Sequence, residues 1–278
     1  MQASVNAEVR YLNTEWKGRA DAPRIGDRTS RRANTTKRSV PIDDARGLDL
    51  GLDTSGFVLA RHESAVRDFR DEAQVRDTYY REVGEVVREM TGADKVFVFS
   101  HTVRTEDTSD FNVAYARFVH CDYSLAGAAE RRRNALVKHG ADLDPARHWE
   151  FAWFNTWQPI EREVRKNPLA VIDARTLDLA DVVDYYYTGY QNKRSPETGA
   201  MAMATESAAA SSMPVFNPDQ RFYYFSRMQT DEIMVIKQLD TRPGRARGCP
   251  HTSFDIEAPS NAPGRRSIEV RMACAFGS

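Results

Sequence analysis

The 278-residue chain predicts a mainly β fold, a double-sheet jelly roll (a cupin-like double-stranded β-helix) with helices packed outside it. Three observations carry this. Runs rich in β-branched and aromatic residues recur from Lys95 to the C-terminus, Pro and Gly clusters punctuate them, and only two stretches show helical spacing. A hydrophobic content of 41% with 28% charged residues suits a globular chain, and the length allows one domain over 1–278 with a substantial core.

Residues 1–40 read as an N-terminal arm. Asp21 to Ser39 is rich in Arg, Asp, Thr and Ser with little apolar content, which predicts a loop wrapped over the surface. Its basic pairs, Arg31-Arg32 and Lys37-Arg38, are balanced by Asp43, Asp44 and Asp49, so a solvated face is preferred to an RNA contact. Between Asp71 and Met90, Val75, Tyr79, Val83, Val86, Val87 and Met90 lie close to helical spacing, and Gly92 stands where a stop is expected. A second helix is predicted over Ala126 to His139, its Glu130-Arg131-Arg132-Arg133 run facing solvent. Strands are predicted at Lys95–Val103, Tyr115–Tyr123, Trp149–Trp157, Leu169–Asp173, Arg221–Phe225, Ile233–Leu239 and Ser267–Phe276. Residues 192–214, dominated by Ala, Ser, Met and Thr, have no period and predict a long lid loop.

A formal net charge of −1 removes the electrostatic case for nucleic acid or an anionic membrane as partner. No apolar run approaches the ~20 residues that span a bilayer, and Met1 to Arg10 lacks the apolar core of a secretory signal. Three scattered cysteines, Cys121, Cys249 and Cys274, make no disulfide framework and point to a reducing cytoplasm. A small molecule is the expected partner.

The chemistry concentrates at His120-Cys121-Asp122. Side chains alternate along a strand, so His120 and Asp122 share a face while Cys121 turns away. A second strand carrying His251 completes two histidines and one carboxylate, the donor set of non-haem Fe(II) oxygenases. The HxD pattern by itself is weak, since surface strands contain it by chance. Downstream, alternation puts Arg265, Ser267, Glu269 and Arg271 on one face. Either arginine suits a bidentate clamp on the far carboxylate of 2-oxoglutarate, with Ser267 assisting. Asn155 and Trp157 on one strand, and Arg104 at the end of another, are candidates for substrate contact.

Several further pieces follow one another in a telling order. Phe99-Ser100-His101-Thr102-Val103-Arg104, Val119 to Ser124, Phe154-Asn155-Thr156-Trp157-Gln158-Pro159-Ile160 and Pro168 to Arg175 come first; Phe222 to Phe225, Glu232 to Asp240, His251-Thr252-Ser253-Phe254 and Arg265 to Arg271 come after. In this order they resemble the hydroxylase/desaturase family of natural-product biosynthesis, which includes the cephamycin 7α-methoxylation component, gibberellin desaturase-like enzymes and a fungal endoperoxidase. The resemblance covers Pro41 to the C-terminus. It implies a jelly-roll oxygenase using Fe(II), 2-oxoglutarate and O₂, with His120, Asp122 and His251 as ligands. Arg266 stands where the family pattern has an acidic residue, and 192–214 has no counterpart. Because family members hydroxylate, desaturate, close rings or form peroxides, the resemblance gives a reaction class and no substrate. Two rival readings of the same residues are a divalent-metal hydrolase, for which no HExxH-type base is present, and a non-catalytic β-barrel that binds a small ligand.

Overall fold

The structure, a computed structural model, describes residues 4–105, 116–188, 190–194, 201–203 and 211–278. In chain order the strands are β1 (Ser4–Leu12), β2 (Arg24–Ile25), β3 (Thr35–Asp44), β4 (Phe57–Arg61), β5 (Lys95–Thr105), β6 (Trp149–Pro159), β7 (Leu169–Ile172), β8 (Val182–Tyr187), β9 (Tyr190–Arg194), β10 (Met201–Met203), β11 (Ser211–Pro214), β12 (Phe222–Tyr224), β13 (Glu232–Asp240), β14 (His251–Ser253) and β15 (Arg266–Gly277). Helices α1 (Arg28–Asn34), α2 (72–91) and α3 (Ala128–His139) accompany them.

A major sheet of order β4-β13-β6-β15-β5 faces a minor sheet of order β1-β3-β12-β7-β14. Alternation along β6 divides its residues between two cores. Ala152 and Phe154 face outward, where Val75, Tyr79, Val83 and Val87 of α2 cover them. Trp157 faces inward and packs with Met234 and Ile236 against Leu169, Val171 and Phe225 of the opposite side. This is the jelly roll with external helices that the sequence predicts. Helix α2 is capped by Asp71, which accepts from Ala73 and Gln74, and it ends at Gly92 with φ 67°, a left-handed residue that glycine adopts without penalty.

Three expectations need correction. The supposed arm is largely sheet: β1 and β3 pair antiparallel from Ser4↔Asp43 to Leu12↔Thr35, with α1 between them. Ala7, Val9, Tyr11, Val40 and Ile42 are buried while charged residues alternate with them. Such half-buried strands have low apolar content and pass for loop. The strand predicted around His120 is instead two isolated bridges, His120↔His251 and Cys121↔Ser212, because this segment spans from β14 to β11. Within the predicted loop 192–214, Ser211–Pro214 is a strand paired with β8, and β10 pairs antiparallel with β9. Residues 195–200 and 204–210, where most of the proposed lid falls, lie outside the described residues.

Candidate metal centre

Two backbone hydrogen bonds tie the HxD segment to the second histidine: His120 N donates to His251 O at 3.0 Å, and His251 N to His120 O at 2.8 Å. The pairing brings the two imidazoles to 4.5 Å between ring centres. His120, Asp122 and His251 each offer a ligand atom within 4.8 Å of the others, the only such cluster among the described residues. Both histidines are buried.

Each of the three is held from behind. His120 Nδ1 lies 2.9 Å from Phe118 O, which turns Nε2 toward the centre. Asp122 Oδ2 accepts from Asn155 Nδ2 and from Arg271 Nε, both at 2.7 Å, while Oδ1 lies 3.5 Å from His120 Nε2. Gln238 spans the remaining pair: its Oε1 accepts from Asp122 N at 3.1 Å, and its Nε2 lies 3.4 Å from His251 Nδ1.

Charges in this wall are balanced in pairs. Burial favours neutral Asp122, but Arg271 and the two imidazoles outweigh it and hold the carboxyl well below the usual range. Burial, with His120 adding to it, pushes His251 down to about 4, so the imidazole is neutral and able to ligate at pH 7. Glu269 is also buried; Arg271 and Arg104 overcome that burial and keep it ionised. Arg271 is ion-paired with Glu269 as well as Asp122, and Arg104 Nε lies 3.8 Å from Glu269.

A narrow pocket adjoins the cluster, lined by His120, His251, Ser253, Arg265, Trp157, Glu269 and Arg104. Arg265 is 1% exposed. Its guanidinium lies 5.2 Å from the Trp157 ring centre, donates to Ser253 Oγ at 3.0 Å and also donates to Asn167 O.

Comparison with known proteins accords with this geometry. A family model described as an Oxidoreductase/YMDC permease-like domain matches residues 9–275. The hydroxylase/desaturase CTB9 of Cercospora beticola is 31% identical over 95% of this chain and 86% of its own. The Fe(II)/2-oxoglutarate-dependent dioxygenase nvfI of Aspergillus novofumigatus is 30% identical over 86% of this chain and 83% of its own. The chain belongs to this hydroxylase/desaturase family of Fe(II)/2-oxoglutarate-dependent dioxygenases. A solved structure of the iron and alpha-ketoglutarate-dependent endoperoxidase NvfI superposes with a TM-score of 0.81 at 25% identity, covering 100% of this chain and 99% of that one.

The residues of this oxygenase suit the groups its family uses. Two imidazoles and one carboxylate within 4.8 Å form a donor set suited to Fe(II) with open positions. A buried guanidinium on the pocket wall is the cation a dicarboxylate needs, and Ser267 Oγ is buried with no hydrogen-bond partner of its own.

Among the candidates, structure separates residues that sequence grouped together. Arg265 lines the pocket, whereas Arg271 is committed to Asp122 and Glu269. Asn155 sits behind Asp122; Trp157 and Arg104 reach the pocket. Ser253 and Gln238 escaped sequence reasoning. Ser253 was legible, since it shares a strand face with His251 two residues away. Gln238, with Lys237 before it, signalled itself as a polar residue at the end of the apolar run Ile233–Ile236, though no spacing rule could name its partners.

Proposed function

We propose that His120, Asp122 and His251 hold Fe(II), and that Arg265, with Ser253 and Ser267, binds the far carboxylate of 2-oxoglutarate. The oxygenase then oxidises an unactivated C–H bond of a small specialised metabolite by hydroxylation, desaturation or ring formation. The carrying observation is one pocket with the three-residue donor cluster at one side and buried Arg265 on its wall.

Bound iron would supply the one-electron and O₂ chemistry that no side chain here can perform. For hydroxylation, one 2-oxoglutarate and one O₂ are consumed per product, giving succinate, CO₂ and the alcohol. The chain's own part is positional. Arg265 gives the dicarboxylate a fixed end, Trp157 supplies a flat apolar floor beneath it, and the facing sheets exclude water from the metal side. Arg104 and Trp157 are the proposed contacts toward substrate. Glu269, the carboxylate that lines the pocket with both histidines, is ion-paired with Arg271 and Arg104, which makes it a poor general base and disfavours a hydrolase.

No described helix is long and apolar enough to cross a membrane. The three cysteines are free and buried, which suits the reducing cytoplasm, where we place the reaction. Anaerobic titration with Fe(II) and 2-oxoglutarate tests the proposal. A weak visible charge-transfer band requiring both components is expected; a protein that binds neither would refute it.

A further inference from the structure

Arg271 is a partly buried cation held between two carboxylates, and the oxygen it takes on Asp122 is shared with a second donor. Its Nε and the Nδ2 of Asn155 both donate to Asp122 Oδ2 at 2.7 Å. The two residues are directly opposed in the β15–β6 ladder, so the sheet itself sets the spacing between the donors. Glu269, two residues along the same face of β15, is ion-paired with Arg271 and fixes the guanidinium from its other side. Buried charge is costly unless paired, and here every charge in the chain Asp122–Arg271–Glu269 has its partner.

We propose that Arg271 and Asn155 are positioning residues that make Asp122 a one-oxygen ligand. With two donors on Oδ2, that oxygen is turned away from the metal and Oδ1 alone remains for it. This matters because a carboxylate that bound through both oxygens would take a position needed for co-substrate or O₂. Three single-atom ligands leave three positions open. Partners of this kind around metal ligands are worth about 10–100-fold in metal affinity. Arg271 therefore acts through the iron ligand, and the clamp on 2-oxoglutarate falls to Arg265 alone.

The proposal rests on the metal site proposed above, and Co(II) binding to the apoprotein separates the two. If the wild-type chain takes up no Co(II), the metal site itself is wrong. If it does, Asn155→Leu and Arg271→Met should each raise the Co(II) dissociation constant by about 10–100-fold. Each should also change the intensity of the visible Co(II) bands, which report coordination number. Once metal is saturating, the 2-oxoglutarate dissociation constant should stay within about threefold of wild type. Arg271→Lys keeps the charge beside Glu269 and should recover part of the affinity lost in Arg271→Met. Should Arg271→Met not fold, Asn155→Leu and Arg271→Lys decide the matter. Wild-type Co(II) affinity and band intensity in folded Asn155→Leu and Arg271→Lys would overturn the proposal, as would an Arg271 variant whose defect appears only in 2-oxoglutarate binding.

Discussion

The two sides of the metal pocket are built differently. On the minor-sheet side, His251 sits on the three-residue strand β14, and His120 and Asp122 lie on a segment held by isolated bridges. On the major-sheet side, Asn155, Gln238, Glu269 and Arg271 stand on β6, β13 and β15, strands of nine to twelve residues; β15 pairs with β6 without a break, and the β13–β6 ladder shifts register between Lys237 and Leu239. The metal-binding candidates come from short segments with few pairings and their supports from long strands. A short segment can aim side chains at angles a flat strand forbids, but it has few hydrogen bonds of its own. The long strands restore precision for two of the three: Asn155 and Arg271 hold the far oxygen of Asp122 and Gln238 stands beside His251 Nδ1, while His120 Nδ1 is met by Phe118 O of its own segment.

This contrast can be broken from either side. The largest effect should come from the short side: His120→Ala, Asp122→Ala or His251→Ala should each abolish iron retention and succinate formation while leaving the circular dichroism of the apoprotein unchanged. One such variant turning over with bound iron would remove that residue from the site. Next is Arg265→Ala, which strips the partner from a buried carboxylate at about 2–5 kcal/mol. The apparent constant for 2-oxoglutarate should then rise about thirtyfold or more, as steady-state kinetics at saturating iron will show. An unchanged constant would move the clamp elsewhere.

Proton linkage sharpens the contrast further. A histidine ordinarily titrates near 6.5, and burial, with His120, lowers His251 to about 4 in the folded chain. Between these values the unfolded chain binds a proton that the folded apoprotein refuses. The stability this site contributes is complete above pH 6.5 and is lost as pH falls toward 4, a change of roughly 3 kcal/mol. Urea melts of the apoprotein at pH 7 and 4.5 should therefore differ less for His251→Gln than for wild type, and equal differences would sink the assignment. The smallest effect concerns β1. Val9→Ala removes two buried carbons and should cost about 1.5 kcal/mol, lowering Tm by about 3–6 °C for a chain of this size. A calorimetric Tm within about 1 °C of wild type would return residues 1–40 to the role of a loose arm.

Periodicity and residue type alone determined a good deal. The alternation of β6 and β15, the helix that stops at Gly92 and the shared face of His120 and Asp122 were legible, because each follows from spacings shorter than about a dozen residues, whereas distant His251 entered on residue type and family resemblance. The same alternation predicted one face for Arg265, Ser267, Glu269 and Arg271, yet it could not divide their work: Arg265 and Glu269 line the pocket, while Arg271 pairs with Asp122 and Glu269. Which arginine meets Asp122 depends on how β15 registers with Asn155 and how the HxD segment crosses between sheets. Both are contacts between residues more than a hundred positions apart. The β1–β3 pair was missed for the same reason: a half-buried strand declares itself only when its partner covers the apolar face. Sequence set the chemistry available, and tertiary packing decided which nearly identical groups face the metal, the co-substrate or each other, since charge and hydrogen bonding are read at distances of ångströms.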